Sequence, residues 1–200
     1  MNKRGKWIAI DGCEGAGKTT LVEALKKRFP SVVYVPEFSD TQTGRFLANG
    51  VKDKPYEVLT SPLGSALLFV SDYFYLVDTV ITPALKNGKT VVSDRGFLSK
   101  IAVQSVVLGK SLSSREVEEL LASLFAFSVK PDFSIVLDTP VADVEKRIVC
   151  RCGSCGEERL KMIEDTMKEI RKHAQQWGLP CGFYTGSDAE RVATEQLSRR

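Results

Sequence analysis

Residues 8–20 decide the fold of this 200-residue chain, and they read Ile-Ala-Ile-Asp-Gly-Cys-Glu-Gly-Ala-Gly-Lys-Thr-Thr. Three apolar residues at the start indicate a short buried strand, and the run from Gly12 to Thr19 follows the pattern G-x-x-x-x-G-K-T. Apolar residues at helical spacing from Leu21 to Phe29 then predict a helix. A strand, a glycine loop and a helix in this order form the context that a phosphate-binding loop needs.

The residue types in this loop suit a nucleoside triphosphate. Glycines allow the backbone angles that point successive N–H groups inward, and the helix N-terminus adds its dipole. Lys18 is expected to reach the β- and γ-phosphates, and the Thr19 hydroxyl is expected to bind Mg²⁺. The residues predicted to hold ATP in the loop are Gly12, Cys13, Glu14, Gly15, Ala16, Gly17, Lys18, Thr19 and Thr20.

Composition and length bound the class of protein. Residues 1–200 are expected to form a single domain, since the hydrophobic content of 43% and charged content of 26% are ordinary for a globular protein. The net charge of +3 is too small to predict nucleic-acid binding. The first apolar run, Trp7 to Ile10, is too short for a signal peptide or a membrane span. We therefore expect a cytoplasmic protein with reduced cysteines and no membrane partner.

Strands that alternate with helices predict an α/β fold with a five-stranded parallel sheet. Apolar runs predict strands at 8–10, 32–35, 90–93, 135–137 and 183–185. Helical spacing and capping signals predict a short helix within 38–49 that ends at the Asn49-Gly50 turn. They also predict a long helix that begins at Ser61 and that Pro83 kinks or ends. Further helices are predicted at 99–107, 113–129, 141–149, 158–177 and from 188.

Polar residues follow several of the predicted strands. Glu37 follows the second strand, and Asp94-Arg95 follows the third. Because ligands bind beyond the carboxyl ends of parallel strands, we expect these side chains to share one edge of the sheet with the glycine loop. Asp94 can hold Mg²⁺ and Arg95 can bind a second phosphate, which suits transfer between two bound molecules better than hydrolysis. A GTPase is not indicated, because residues 129–132 lack the amide or hydroxyl residue of the guanine motif.

Several motifs together make the chain similar to the thymidylate kinase family, whose members make dTDP from dTMP and ATP. The glycine loop carries an acid at Glu14, as the family's loop does, and 94–104 resembles its D-R-x-x-x-S-x-x-A-x-Q signature. Residues 67–69 and 81–85 resemble the two ends of the family's long substrate-binding helix. The resemblance implies a three-layer α/β/α P-loop kinase fold, MgATP as cofactor, small nucleotides as partners and a homodimer.

The resemblance also implies roles for individual residues. Glu14 would face the acceptor sugar, Arg95 its phosphate, and Phe69 would stack on the base with Ser99 and Gln104 nearby. A lid at about 146–161 would place basic residues over ATP. Since the loop lacks arginine, the catalytic arginine would come from this lid, and the sequence does not rank its three candidates, which are Arg147, Arg151 and Arg159.

The sequence departs from the family at the base and phosphate ends of the acceptor site. Tyr73 stands where the family has a base-contacting arginine, and 36–41 is a reduced form of the family's R-E-P-G-G-T segment. Arg45 is the candidate substitute for that second missing arginine. Two alternatives therefore stay open: a related kinase that acts on another nucleoside monophosphate or a deoxynucleoside, and a nucleotide-binding module without transfer activity.

A cluster of three lid cysteines, Cys150, Cys152 and Cys155, is the unexpected feature of the sequence. The C-x-C-x-x-C spacing resembles part of a zinc knuckle, but a structural zinc site needs four ligands. Cys181 or His173 would have to complete it. A structural zinc, a redox-sensitive set of thiols and no special role are the three alternatives, and zinc is the least favoured.

Overall fold

The computed structural model describes residues 4–53 and 58–198, apart from the side chain of residue 53. Five strands form one parallel sheet in the order β2-β3-β1-β4-β5. The strands are β1 (Trp7–Gly12), β2 (Val33–Val35), β3 (Val91–Asp94), β4 (Phe133–Leu137) and β5 (Cys181–Tyr184). The helices are α1 (Lys18–Arg28), α2 (Gln42–Asp53), α3 (Pro62–Leu76), α4 (Thr82–Lys86), α5 (Phe97–Leu108), α6 (Ser114–Phe125), α7 (Val141–Cys152), α8 (Glu157–Gln176) and α9 (Gly186–Ser198).

Alternate residues of the central strand pack on opposite faces of the sheet, as the period of a strand requires. Ile8 and Ile10 join a core formed with α1, α7 and α9, whereas Trp7 joins a second core formed with α3, α4, α5, α6 and much of α8. The sheet is thus buried on both faces, and the predicted three-layer α/β/α architecture is confirmed.

The long helix does not end at Pro83. Residues Val77–Ile81 form a π-helical turn between α3 and α4, in which the Thr82 N–H bonds to the carbonyl of Val77, five residues earlier. This wider turn accommodates a proline that has no N–H of its own. The helix closes at Asn87 and Gly88 (φ +71°), and it begins with the Ser61 side chain accepting the Gly64 N–H, as predicted.

Two predictions about helix boundaries were wrong. Asn49 and Gly50 lie inside α2 rather than in a turn. A side chain at Gly50 would meet the Val58 Cγ1 at 2.4 Å. The glycine is therefore explained by close packing. The capping box of Ser113 and Glu116 is present, but α6 ends at Phe125, before the predicted Val129.

By length and composition alone, the continuous helix Pro62–Lys86 is a candidate membrane span among the described residues. Half of its most apolar window is buried inside the fold, and Asp72 and Ser65 are among its buried side chains. Core packing therefore explains the apolar residues of its buried half.

Candidate active site

The glycine loop joins β1 to α1 and leaves the start of α1 open. Gly17 precedes the helix with φ +102°, and no side chain caps the first turn. Gly12 has φ +138°, and a Cβ there would lie 3.0 Å from the Leu137 carbonyl oxygen. Both glycines are thus required by the backbone. Unpaired N–H groups at a helix N-terminus form an anion site, so this geometry suits a phosphate group.

Lys18 points into the loop. Its Nζ donates to the Cys13 carbonyl at 2.6 Å, and the residue is only 6% exposed. Burial, reinforced by the charge of Arg95, lowers the pKa of Lys18 to about 8. Cys13 is buried, and burial raises the pKa of its thiol, which favours the neutral form. The group of Cys13 that Lys18 contacts is therefore the backbone carbonyl and not a thiolate.

Thr19 and Asp94 meet at the carboxyl ends of β1 and β3. The Thr19 hydroxyl donates to Asp94 Oδ2 at 3.2 Å, while Asp94 Oδ1 is buried without a hydrogen-bond partner among the described residues. A buried carboxylate oxygen beside a hydroxyl is a donor set that Mg²⁺ accepts, with phosphate and water completing its coordination. These two residues therefore fit the predicted magnesium site.

Arg95 is held rigidly beside the loop. It has φ +67°, a value that non-glycine residues rarely adopt. Its Nε lies 2.7 Å from Glu37 Oε1, and one terminal nitrogen donates to the Gly12 carbonyl at 2.7 Å. Burial alone would raise the pKa of Glu37, but the charges of Arg95, Lys100 and Lys18 hold it below its usual value. Glu37 therefore stays ionised and fixes the guanidinium.

Asp11 is a site residue that the sequence did not single out. It is fully buried, and its Oδ1 accepts the N–H groups of Gly96 and Ser99, each at 2.9 Å. Ser99 Oγ in turn accepts the Gly12 N–H at 3.1 Å. Asp11 and Ser99 thus tie the Asp94-Arg95 turn to the glycine loop. The position of Asp11 directly after the first apolar strand was the signal that could have identified it.

The residues predicted to contact the acceptor base, and Arg45, predicted to replace a phosphate-side arginine, lie in different surroundings. Phe69 is buried, with its ring 6.0 Å from that of Phe38. Gln104 is buried on α5, and its Oε1 has no hydrogen-bond partner among the described residues. The Tyr73 hydroxyl is instead 3.0 Å from Ser128 Oγ in the core. Arg45 is exposed on α2 and forms no hydrogen bond or ion pair with the other predicted site residues in the described part of the chain.

Three arginines bring the predicted lid onto the glycine loop. Arg147 donates to the carbonyls of Gly15 and Ala16 at 3.1 and 3.0 Å. Arg159 donates twice to Glu14, with its Nε 3.1 Å from Oε2 and a terminal nitrogen bonded to Oε1. Arg151 approaches Glu14 only to 3.8 Å and has a side chain that is 58% exposed, against 20% for Arg159. Glu14, predicted to face the acceptor sugar, is thus paired with the lid in this structure.

The lid cysteines lie apart from other potential metal ligands in the described part of the chain. Cys150 and Cys152 are exposed, and Cys155 is half-buried. Within residues 4–53 and 58–198, no three His, Cys, Asp or Glu side chains are grouped to hold a metal ion. His173, one candidate fourth ligand, is buried and hydrogen-bonded to Ser105 at 2.8 Å. The structure therefore does not support the zinc alternative, since thiols that do not converge give no tetrahedral site.

Three neighbouring cavities surround the loop. One of about 410 Å³ is lined by residues that include Lys18, Thr19, Asp94 and Arg95. A second, of about 400 Å³, shares Gly17, Thr20 and Arg147 with the first. A third, narrower one lies between Glu14, Arg95 and Arg159. Glu14 and Arg95 line both the first and the third cavity, so these residues stand where the two spaces meet.

Comparison with known proteins agrees with this geometry. The sequence model of the family described as thymidylate kinase matches residues 10–191. A probable thymidylate kinase of Thermococcus onnurineus is 35% identical over 176 residues, which cover 84% of this chain and 81% of that protein. A probable thymidylate kinase of Methanosarcina mazei is 31% identical over 171 residues, 85% of this chain and 80% of that protein. A thymidylate kinase of Legionella pneumophila is 33% identical over 138 residues, 67% of this chain and 64% of that protein. Since the family match includes the glycine loop, the Asp94-Arg95 turn and the lid arginines, the chain belongs to the thymidylate kinase family.

Proposed function

We propose that this chain transfers the γ-phosphoryl group of MgATP to dTMP and releases ADP and dTDP. The observation that carries the proposal is one cavity lined by Lys18, Thr19, Asp94 and Arg95. A phosphate-binding lysine, a magnesium-ligand pair and a second phosphate-binding cation meet there. Two phosphate-binding groups on either side of one magnesium site suit a reaction between two bound nucleotides.

The donor side is built by the glycine loop and the start of α1. Lys18 and the open N–H groups would neutralise the β- and γ-phosphates. Arg147, already bonded to loop carbonyls, would cover them from the lid. The adjoining cavity of about 400 Å³, between Leu21, Leu137 and Glu190, has room for the adenosine of ATP. Asp94 and Thr19 would hold Mg²⁺, which would supply positive charge to the phosphates.

The acceptor side is organised by Arg95. With Glu37 on its Nε and the Gly12 carbonyl on a terminal nitrogen, its guanidinium is positioned before substrate arrives. A phosphate monoester has a second pKa near 6 and has therefore largely lost its proton at neutral pH. The attacking oxygen needs no general base, so positioning and positive charge account for the chemistry. Phe69 and Gln104 would bind the base, and Ser99 would hold the loop in place.

The lid at about 146–161 would complete the site. Arg159 lines the narrow cavity together with Arg95 and Glu14, and those two residues also line the cavity that contains Lys18 and Asp94. This supports a place for Arg159 near the junction of the donor and acceptor sides. Arginines at this junction would stabilise charge on the phosphoryl group in transit and help to exclude water.

The partners of this chain would be nucleotides and a second copy of itself. We expect a cytoplasmic homodimer that binds neither nucleic acid nor membrane. Leu63 and Leu67 on α3 are each 44% exposed, and Phe46 on α2 and Leu59 are also exposed large apolar residues. Leu63 and Leu67 are one helical turn apart, and a contiguous apolar patch of this kind would favour a protein interface.

An acceptor panel tests the proposal. With MgATP as donor, kcat/KM is measured for dTMP, dUMP, dCMP, dGMP and thymidine. We expect dTMP to be the best acceptor, dUMP to be used measurably and the purine monophosphate to be poor. Lys18→Ala, which removes the charge on the β- and γ-phosphates, serves as the folded inactive control. A clear preference for dGMP or thymidine would refute the assignment of dTMP as the acceptor. Absence of any phosphoryl transfer would indicate a non-catalytic module.

A further inference from the structure

Lys100 is a buried lysine that none of the roles above uses. It lies on α5, is 6% exposed, and its Nζ donates to the Glu37 carbonyl at 2.8 Å. Burial lowers its pKa, although the Glu37 carboxylate partly opposes that effect. Lysine is almost never fully buried unless it is paired, because the ammonium loses its hydration. The hydrogen bond to the Glu37 carbonyl uses one N–H group of the ammonium and leaves two for other acceptors.

Lys100 lies next to a pair of aromatic rings that includes the proposed base-stacking residue. Its Nζ lies 4.8 Å from the centre of the Phe38 ring, and that ring lies 6.0 Å from Phe69, the proposed stacking residue. Gln104 is one helical turn further along α5 and therefore shares the helix face with Lys100. The Gln104 Oε1 is buried without a hydrogen-bond partner among the described residues. One face of α5 thus carries a cationic donor next to the Phe38 ring and, one helical turn further on, a buried amide acceptor.

Position 73 gives no comparable donor. The Tyr73 hydroxyl is buried against Ser128 Oγ at 3.0 Å and packs beside Phe125. A base in contact with Phe69 would therefore meet the Lys100 ammonium rather than this phenol. The base end of the site contains a positive charge, but it comes from α5 instead of α3.

The hydrogen-bond donor of Lys100 and the acceptor of Gln104 on α5 complement the hydrogen-bonding edge of a keto pyrimidine. Thymine and uracil present the O4 acceptor beside the N3–H donor, whereas cytosine presents an amino donor beside an unprotonated N3. We infer that Lys100 binds the C4 carbonyl of a keto pyrimidine while Gln104 accepts its N3–H, so that Lys100 selects thymine and uracil over cytosine. This inference rests on the proposed pyrimidine kinase activity.

Lys100→Met tests the inference, since it keeps the length of the side chain and removes the charge. A charge-assisted hydrogen bond corresponds to a loss of roughly 10- to 100-fold in kcat/KM for dTMP and dUMP. The value for dCMP should not fall, so the ratio of dTMP to dCMP falls by the same factor. Lys100→Arg should restore most of the ratio. Lys110→Met, at the exposed end of the same helix region, is the matched control and should leave all values unchanged.

Substrate analogues make the same test on the unmodified protein. Sulfur in place of O4 is a weaker acceptor, so 4-thio-dTMP should be a poorer acceptor than dTMP, while 2-thio-dTMP should match dTMP. In Lys100→Met the penalty for 4-thio-dTMP should disappear. Equal losses for dTMP and dCMP in Lys100→Met, or an unchanged 4-thio penalty, would overturn the inference and assign Lys100 to the acceptor phosphate or to the fold. Failure of the unmodified protein to use dTMP would instead refute the proposed function.

Discussion

Arg159 should be the lid arginine on which turnover depends most. Its two hydrogen bonds to Glu14 and its place in the narrow cavity fix it next to Glu14 and Arg95, the two residues that this cavity shares with the first one. Arg151 lines the first cavity, but its side chain is mostly exposed and lies 3.8 Å from Glu14. An arginine that stabilises the transferring phosphoryl group contributes roughly 10³- to 10⁵-fold to kcat in P-loop enzymes. Because Lys18 and Arg147 remain in place, we expect Arg159→Ala to lower kcat by about 10³-fold, or about 4 kcal/mol.

The same change removes the nearer cationic partner of Glu14 and leaves only Arg151, at 3.8 Å. The Glu14 carboxylate would then repel the phosphates more strongly, so part of the loss should return in the double variant Glu14→Gln/Arg159→Ala. Arg151→Ala is the matched control, and it should lower kcat by only a few-fold because exposed charges are well screened.

The assay measures kcat and KM for both substrates by coupled detection of ADP, with the thermal midpoint of each variant as a check on folding. Turnover of Arg159→Ala within fivefold of the unmodified protein would refute this ranking of the lid arginines. An equal loss in Arg151→Ala would also refute it.

Three further variants probe the acceptor site and the core. Arg95→Ala should raise KM for the acceptor and lower kcat with little change in ATP affinity; the opposite pattern in titration calorimetry would mean that the two sites are exchanged. Tyr73→Phe should cost about 0.5–1.5 kcal/mol of unfolding free energy and leave KM for dTMP unchanged, since its hydroxyl bonds to Ser128; a raised KM with unchanged stability would place the hydroxyl in the base pocket. Burial lowers the pKa of His173 to about 4, so protonation of the unfolded chain should reduce stability by about 3 kcal/mol as the pH falls from 6.5 to 4. Urea unfolding of His173→Gln should lack this component, and an unchanged pH slope would contradict it.

The sequence predicted the fold well because its signals were local. A glycine loop between an apolar strand and a helix admits few arrangements, and Ser61 and Ser113 cap their helices where the sequence indicated. Predictions failed where a distant contact decided the outcome. Gly50 suggested a turn, but a glycine is needed at this position because Val58 packs against it. The π-helical turn before Pro83 depends on the packing of the whole helix.

The candidate site was predictable in its phosphate-binding part and less so elsewhere. Lys18, Thr19, Asp94 and Arg95 follow strand ends, so topology alone brings them together. The pairing of Glu14 with Arg159 depends on how α7 and α8 return to the loop, which spacing does not encode. Lys100 was overlooked because a lysine inside an apolar helix resembles a surface residue until the burial of that helix is known.

The fate of the γ-phosphoryl group tests the central claim most directly. The unmodified protein is incubated with ATP labelled at the γ-phosphate, Mg²⁺ and dTMP, and the labelled products are separated. We predict that the label appears in the β-phosphate of dTDP, that this depends on Mg²⁺, and that Lys18→Ala forms none. Label found only in inorganic phosphate, or remaining in ATP at all enzyme concentrations, would contradict the account.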